Sequence, residues 1–417
     1  MGLPKLTVRL TALAALLATL AACGGSGNDS GVRPVAFTPY QVNFGLAVAD
    51  FNGDGLPDVL SAQTLRQPSA PYESGSLLLS LRQAGAGAGF AAPLSTAAGS
   101  ELLYVAAADL NGDGLPDVVS ASFDDGQLAV YLNQSATPGS FAAPVLLPSS
   151  GTSQVVIADL NGDGRPDLVS ADYGVSIFLQ DAATPGTFLA PMSLSAAGAN
   201  WVAVGDLNHD GLPDVVVTDA TGVHLYLHAA SAASASFQTP VTVFTQTPNQ
   251  DFIGANDVVV ADVNGDGYND LVITDPGPFG PAPPTVNILL QDGTHPGTFL
   301  APVSYPIPQG GVAQFLQVVD LNGDGHPDIV YADRGGVSVL LQNAAAPGTF
   351  AAASWCAVPF GAYQTAVADI NGDGLPDIVV TSSVSLTLGA GVYQTRPGVL
   401  LQNPAAPGTF MALQNLP

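Results

Sequence analysis

Seven times this chain repeats the nine-residue phrase Asp-x-Asn-x-Asp-Gly-x-x-Asp, beginning at Asp50, Asp109, Asp159, Asp206, Asp262, Asp320 and Asp369. The intervals between copies are 59, 50, 47, 56, 58 and 49 residues. Its 417 residues could otherwise hold two or three ordinary domains, but a period of about fifty residues points to one repeat array. Each interval has room for a few short strands and little else.

The phrase is a cation loop written in residues. Calcium takes six to eight oxygens at roughly 2.3–2.6 Å, and side chains at alternate positions of a tight turn can converge on one point. Positions 1, 3, 5 and 9 would supply side-chain oxygens and position 7 its backbone carbonyl. In the first copy these are Asp50, Asn52, Asp54, Asp58 and Leu56; in the second, Asp109, Asn111, Asp113, Asp117 and Leu115. The third has Asp159, Asn161, Asp163, Asp167 and Arg165, and the fourth Asp206, Asn208, Asp210, Asp214 and Leu212. The fifth has Asp262, Asn264, Asp266, Asp270 and Tyr268, the sixth Asp320, Asn322, Asp324, Asp328 and His326. The seventh has Asp369, Asn371, Asp373, Asp377 and Leu375. Gly at position 6 permits positive φ at little cost, and Pro at position 8 holds its predecessor extended. The fifth copy has Asn269 in place of that Pro, and the fourth has His209 where the others have Gly at position 4.

An EF-hand loop starts the same way but runs to twelve residues, ends in Glu and sits between helices. No copy here has Glu at position 12, and short β-branched runs such as Asp117-Val118-Val119-Ser120 follow instead. The alternative that Asn-Gly and Asp-Gly merely mark hairpin turns stays open for any single copy. The aspartate kept at position 9 in all seven favours up to seven Ca²⁺ ions. With Asn rather than Asp at position 3, the expected affinity is weak, about 10⁻⁴–10⁻³ M. Without a cation, three aspartates per loop would raise one another's pKa.

Lys and Arg number 8 against 34 Asp and Glu, and the loops hold 21 of those acids. Acidity so placed is ligand chemistry, and it makes nucleic acid an unsuitable partner. Lys5 and Arg9 precede an apolar run from Leu10 to Leu20, and then comes Leu20-Ala21-Ala22-Cys23-Gly24. This resembles the lipobox of bacterial lipoproteins, which implies that residues 1–22 are a signal peptide and that Cys23 is lipidated. An ordinary signal peptide with an incidental Cys is the alternative. Gly24, by the same resemblance, implies the outer membrane, periplasmic or surface-exposed. Residues 24–32 read as a flexible tether following Cys23. Cys356 is the other cysteine, so no disulfide is expected once Cys23 carries lipid, and no later apolar stretch is long enough for a transmembrane helix.

Each repeat has four strand-like pieces: small apolar residues entering the loop (Val105-Ala106-Ala107-Ala108), a β-branched run after it, an alternating run (Val337-Ser338-Val339-Leu340-Leu341-Gln342), and a strand after a Pro-Gly-Thr/Ser-Phe turn. Four short antiparallel strands repeated radially describe a β-propeller. The chain resembles the FG-GAP or VCBS repeat family, the calcium-loop propellers that include the head of integrin α chains. The resemblance covers residues 33–417 and implies an all-β, seven-bladed propeller, expected as a monomer. Ala36–Val42 is expected to join the last blade as its fourth strand and clasp the ring, with Phe410–Gln414 as the competing candidate.

No Gly-x-Ser-x-Gly elbow, Cys-x-x-Cys pair or phosphate-cradling loop occurs. His224 and His228 could share a strand face at near metal-ligand spacing. Sister positions Ser176, Asn287 and Ser338 are polar, however, so a solvent-facing row is the simpler expectation. Aromatic residues precede the first Asp of five loops by five or six positions: Phe44, Tyr104, Trp201, Phe315 and Tyr363. They are expected to ring the channel mouth opposite the loops, beside insertions carrying Arg66, Tyr72, Phe279, Tyr393 and Arg396. Such a ring is either a binding site for a protein or polysaccharide or a plug at the end of the core. Adhesion or recognition is the leading expectation, and a polysaccharide lyase or hydrolase on the same scaffold is the alternative.

Overall fold

The computed structural model describes residues 40–66, 74–85, 89–123, 125–194, 196, 198–229, 235–245, 257–276, 283–308, 313–333, 335–359, 361–382 and 396–416. Residues 1–32, with Cys23, and Tyr72, Phe279 and Tyr393 lie outside that set. Every described strand falls into one of seven four-stranded antiparallel sheets, each made of four consecutive strands. Blade 2 is representative: Leu102–Ala108, Asp117–Ser122, Gln127–Tyr131 and Val145–Pro148, from the inside outwards. The inner strands of successive blades lie side by side, and that of blade 7 (Gln364–Ala368) packs on that of blade 1 (Tyr40–Ala49), so the sheets form a closed ring. No helix long and apolar enough to cross a membrane occurs among the described residues.

Burial explains the residue choice in each strand. Second strands such as Asp117–Ser122, Asp167–Asp172 and Asp328–Asp333 are buried along their whole length, because a neighbouring blade covers each face. They therefore read as unbroken β-branched runs rather than alternating ones. Fourth strands form the rim and expose residues such as Leu146, Val241 and Val303. The core lies between blades, one cluster per seam. Phe51, Leu60 and Leu77 of blade 1 meet Leu102, Val118 and Tyr131 of blade 2, and Leu46 and Val59 meet Ile370, Val379 and Leu401 where blade 1 returns to blade 7. No blade could bury its apolar surface alone, and closing the ring buries the last seam.

Two expectations are corrected. Of the segment Ala36–Val42, the described Tyr40, Gln41 and Val42 pair with Arg66, Leu65 and Thr64 as an extension of the inner strand of blade 1 rather than with the last blade, and 36–39 are outside the described residues. Blade 7 is completed by its own Gln414–Asn415, paired with Val399 and Gly398. Side chains tie the seam instead, Gln364 Nε2 donating to the Leu46 carbonyl at 3.3 Å and Thr381 Oγ1 to that of Phe44 at 3.3 Å. Nor do the third-strand polar positions form a solvent-facing row: Ser176 and His224 are half-buried and the other two more so. Asn287 and Ser338 are buried, and Ser338 Oγ donates to Asp333 Oδ2 at 2.9 Å. Period two exposes one face only when one face is free, and here both are covered.

Candidate functional site

Each loop is a turn wound around its own acidic side chains. In the first, Asp50 Oδ1 accepts the N–H groups of Gly53 and Asp54 at 2.7 and 3.0 Å, and Oδ2 accepts that of Gly55 at 2.7 Å. Asn52 Oδ1 accepts the Asp54 N–H at 2.9 Å, and Asp54 Oδ1 accepts that of Leu56 at 2.9 Å. The bonds from positions 5 and 6 back to position 1 recur in the other six loops. The position-6 glycines hold φ between 83° and 90°, as the turn requires. His209 occupies the left-handed region at φ 60° in the fourth loop, its ring 5.1 Å from that of Tyr268 in the next.

The position-9 aspartate does a different job from its partners. Asp58, Asp117, Asp167, Asp214, Asp270, Asp328 and Asp377 are all fully buried. Each uses one oxygen to accept the N–H of loop position 2, as Asp117 does from Leu110 at 2.9 Å. The other oxygen accepts, at 2.7 Å, the N–H of a residue just past the third strand: Arg82, Asn133, Gln180, His228, Gln291, Gln342 or Gln402. Burial pushes Asp58, Asp117, Asp214 and Asp270 up to about 6; these backbone bonds oppose it and the other loop carboxylates add to it. Asp167, Asp328 and Asp377 are raised for the same reasons. Mutual repulsion, the cause expected from the residues alone, is thus secondary to desolvation.

The residue past the third strand is one that sequence reasoning passed over. Gln180 Nε2 donates to the Leu110 carbonyl of the preceding blade at 3.0 Å and to Pro166 of its own loop at 2.9 Å. Asn133, Gln342 and Gln402 make the equivalent pair of bonds. In blade 5, Asn269 replaces the loop proline and itself reaches back, donating to the Asp206 carbonyl at 2.9 Å. His228 fills the position in blade 4, buried with Nδ1 2.8 Å from the Ala229 carbonyl, whereas His224 pairs with Asp219 at 3.1 Å. The two histidines are therefore used separately. The following Pro-Gly turn lies on the preceding loop as well: a Cβ on Gly186 would come within 3.4 Å of Asn111. The visible signal was a residue able to hydrogen-bond, recurring eight positions before the Phe of the following turn in six blades and nine before it in blade 4.

No three His, Cys, Asp or Glu side chains among the described residues are grouped to hold a metal ion. The donor chemistry still fits a hard divalent cation. Positions 1, 3 and 5 set two carboxylates and an amide oxygen on one exposed turn, with the position-9 carboxylate close enough to feel both charges. Among the described residues, only the third loop has an ion pair to these groups, from the Arg165 guanidinium to Asp163.

At the opposite end of the inner strands the five aromatics do not stand around an open mouth. Phe44 meets Tyr363 at 4.7 Å between ring centroids, Tyr363 meets Phe315 at 5.1 Å, and Phe315 meets Trp201 at 5.1 Å and Tyr104 at 5.9 Å across the channel. Phe315 is buried and the other four are half-buried. Bulges in the inner strands of blades 1, 2 and 6 accompany Phe44, Tyr104 and Phe315, and Phe315 itself sits at φ 54°. Three of the rings, Tyr104, Trp201 and Phe315, also line a cavity of about 240 Å³ that contains Gln154, Asp257 and Gln364. Burial pushes Asp257 up to about 7; burial and the nearby Asp257 charge push Tyr104 up to about 12.

Comparison with known proteins matches the description FG-GAP-like repeat five times, at residues 109–170, 159–217, 206–273, 262–331 and 320–380. No curated protein matches the chain. Similar solved structures include the Dos1 propeller, 10% identical over 75% of this chain and 72% of that one, with a TM-score of 0.44. The biofilm matrix protein Bap1 of V. cholerae is 15% identical over 89% of each chain, with a TM-score of 0.41. The Tc holotoxin pore of Photorhabdus luminescens is 18% identical over 78% of this chain but only 17% of its own, with a TM-score of 0.35. The family matches overlap end to end from 109 to 380, more than half of the sequence, and each runs from the start of one loop through the whole of the next. The chain belongs to the FG-GAP-like repeat family.

Proposed function

We propose that the protein is a calcium-stabilised propeller, held at the bacterial cell envelope by a lipid on Cys23, that binds a protein or polysaccharide as a monomer. The observation carrying the binding reading is the half-buried aromatic cluster closing the channel beside an acceptor-lined cavity. Aromatic faces with a few placed polar groups suit sugars and peptide side chains alike. Calcium, where bound, would neutralise loop carboxylates through positions 1, 3, 5 and 7, with position 9 sharing an oxygen.

Among its described lining residues the cavity has one carboxylate, Asp257, and one phenol, Tyr104. The usual glycosidase route needs two carboxylates, and a phenol raised to about 12 is a poor base at neutral pH. That supports binding over hydrolase or lyase chemistry. The Cys23→Ser variant tests both anchoring and capture: it should leave the membrane fraction and still retain ligands on a glycan array or envelope-extract pull-down. Capture abolished by Trp201→Ala in a protein that stays folded, with a melting temperature lowered less than by Phe315→Ala, is the expected result. A Cys23→Ser protein still in the membrane fraction overturns the anchor, and capture indifferent to Trp201→Ala overturns the face.

A further inference from the structure

The channel cavity is lined by a buried carboxylate, Asp257, and by a buried amide, Gln364. Gln154 Oε1 takes the Val202 N–H at 2.7 Å, and its side chain is also bonded to Tyr104. The other lining side-chain amides and the Thr365 hydroxyl donate to carbonyls: Gln317 Nε2 to Thr365 at 2.9 Å, Gln364 Nε2 to Leu46 at 3.3 Å, and Thr365 Oγ1 to Phe315 at 3.2 Å. Two acceptors stand out against that background. Gln364, 5% exposed, has its Oε1 buried with no hydrogen-bond partner among the described residues. Asp257, 3% exposed, holds the bulged backbone of blade 6 by accepting the N–H groups of Leu316, at 2.5 Å, and Phe315, and it also accepts that of Val258, yet no cationic side chain lies among the described residues lining the cavity.

A buried carboxylate without a counter-ion and a buried amide oxygen without a donor both carry an energetic penalty. A sugar hydroxyl would bring an acceptor with every donor. An ammonium group brings three donors, no acceptor and a positive charge. Tyr104, Trp201 and Phe315 supply aromatic surface on the same cavity, and ring faces attract cations.

We propose that the channel cavity binds a primary ammonium group carried on a short apolar stem, such as a free alkylamine or a lysine-like side chain, with Asp257 and Gln364 as its acceptors and the three rings around its stem. The site shares the aromatic cluster with the proposed capture face but not its ligand, so the two readings fail separately: a polymer pull-down can be negative while the amine titration succeeds.

Calorimetric titration of the Cys23→Ser protein with n-butylammonium, with n-butanol and N-acetylglucosamine as neutral comparators, tests this. Saturable binding of the amine, at least tenfold tighter than either comparator and weakened at least tenfold by Asp257→Asn, is the expected result. No saturable amine binding, equal binding of butanol or the sugar, or an affinity untouched by Asp257→Asn overturns it. Should Asp257→Asn not fold, Gln364→Leu takes its place with the same criterion, and the amine-to-alcohol comparison in the parent protein decides on its own.

Discussion

Gln342 Nε2 lies 2.7 Å from the Val263 carbonyl of the preceding blade, and its Oε1 accepts the Gly348 N–H at 3.1 Å. One buried amide thus joins the Asp-rich loops of blades 5 and 6 to the Pro-Gly turn that follows the third strand of blade 6. Truncation would strand both backbone groups away from water. Gln342→Ala should therefore lower unfolding free energy by about 2–4 kcal/mol in urea titration. Gln342→Asn should recover part of that, since Asn133 makes the same contacts in blade 2. The exposed Gln134→Ala is the control, within about 0.5 kcal/mol of the parent.

The buried position-9 carboxyls set a pH dependence whose sign depends on metal. Asp58, Asp117, Asp214 and Asp270 titrate at about 6 in the fold, above the ordinary carboxylate value. The folded state then holds protons that the unfolded state has lost between pH ~4 and ~6, so their contribution is complete below that window and is lost as pH rises through it. In chelator, melting temperature should fall from pH 4.5 to 7, with roughly 2–3 kcal/mol per loop at stake. In saturating calcium it should rise over the same range, because binding needs ionised ligands. Parallel slopes in calorimetric scans would remove the calcium proposal.

Arg165 is the one loop cation paired to a proposed ligand, Asp163, and the pair is partly exposed. Such pairs are worth about 0–1 kcal/mol. Arg165→Leu should leave stability in chelator nearly unchanged while tightening calcium at the third loop by up to about fivefold at low salt. Calcium titration followed by NMR of the Gly164 amide would read that site alone.

Phe315 is the hub of the aromatic cluster, touching Tyr104, Trp201 and Tyr363. Phe315→Ala should cost about 3–5 kcal/mol, as truncation of a buried aromatic does. Trp201 is half-buried, and Trp201→Ala should cost less than half of that. Equal losses in chemical denaturation would make the cluster a core plug and move the capture face elsewhere.

The repeat phrase, its spacing and the strand types around it were readable from the residues, because they are local. Gly at position 6 must take positive φ wherever the loop sits, and Val-Ile-rich runs of five or six residues must be buried strands. The seven blades follow from counting. What only the tertiary structure decided involves residues hundreds of positions apart. Tyr40–Val42 could pair with the last blade or its own, and the bonds of Gln364 and Thr381 to Leu46 and Phe44 belong to a ring closed without exchange. Asp117 is one of three acids in its loop by sequence, yet the fold buries it and gives its oxygens to Leu110 and Asn133. Ser338 alternates like a surface residue but lies between two blades. Asp257 bears no motif at all, and it becomes a candidate acceptor only because closure brings it to the same channel as Tyr104 and Gln364. Local pattern sets what each segment forms; desolvation, which depends on what packs against it from elsewhere, sets what each polar group then has to do.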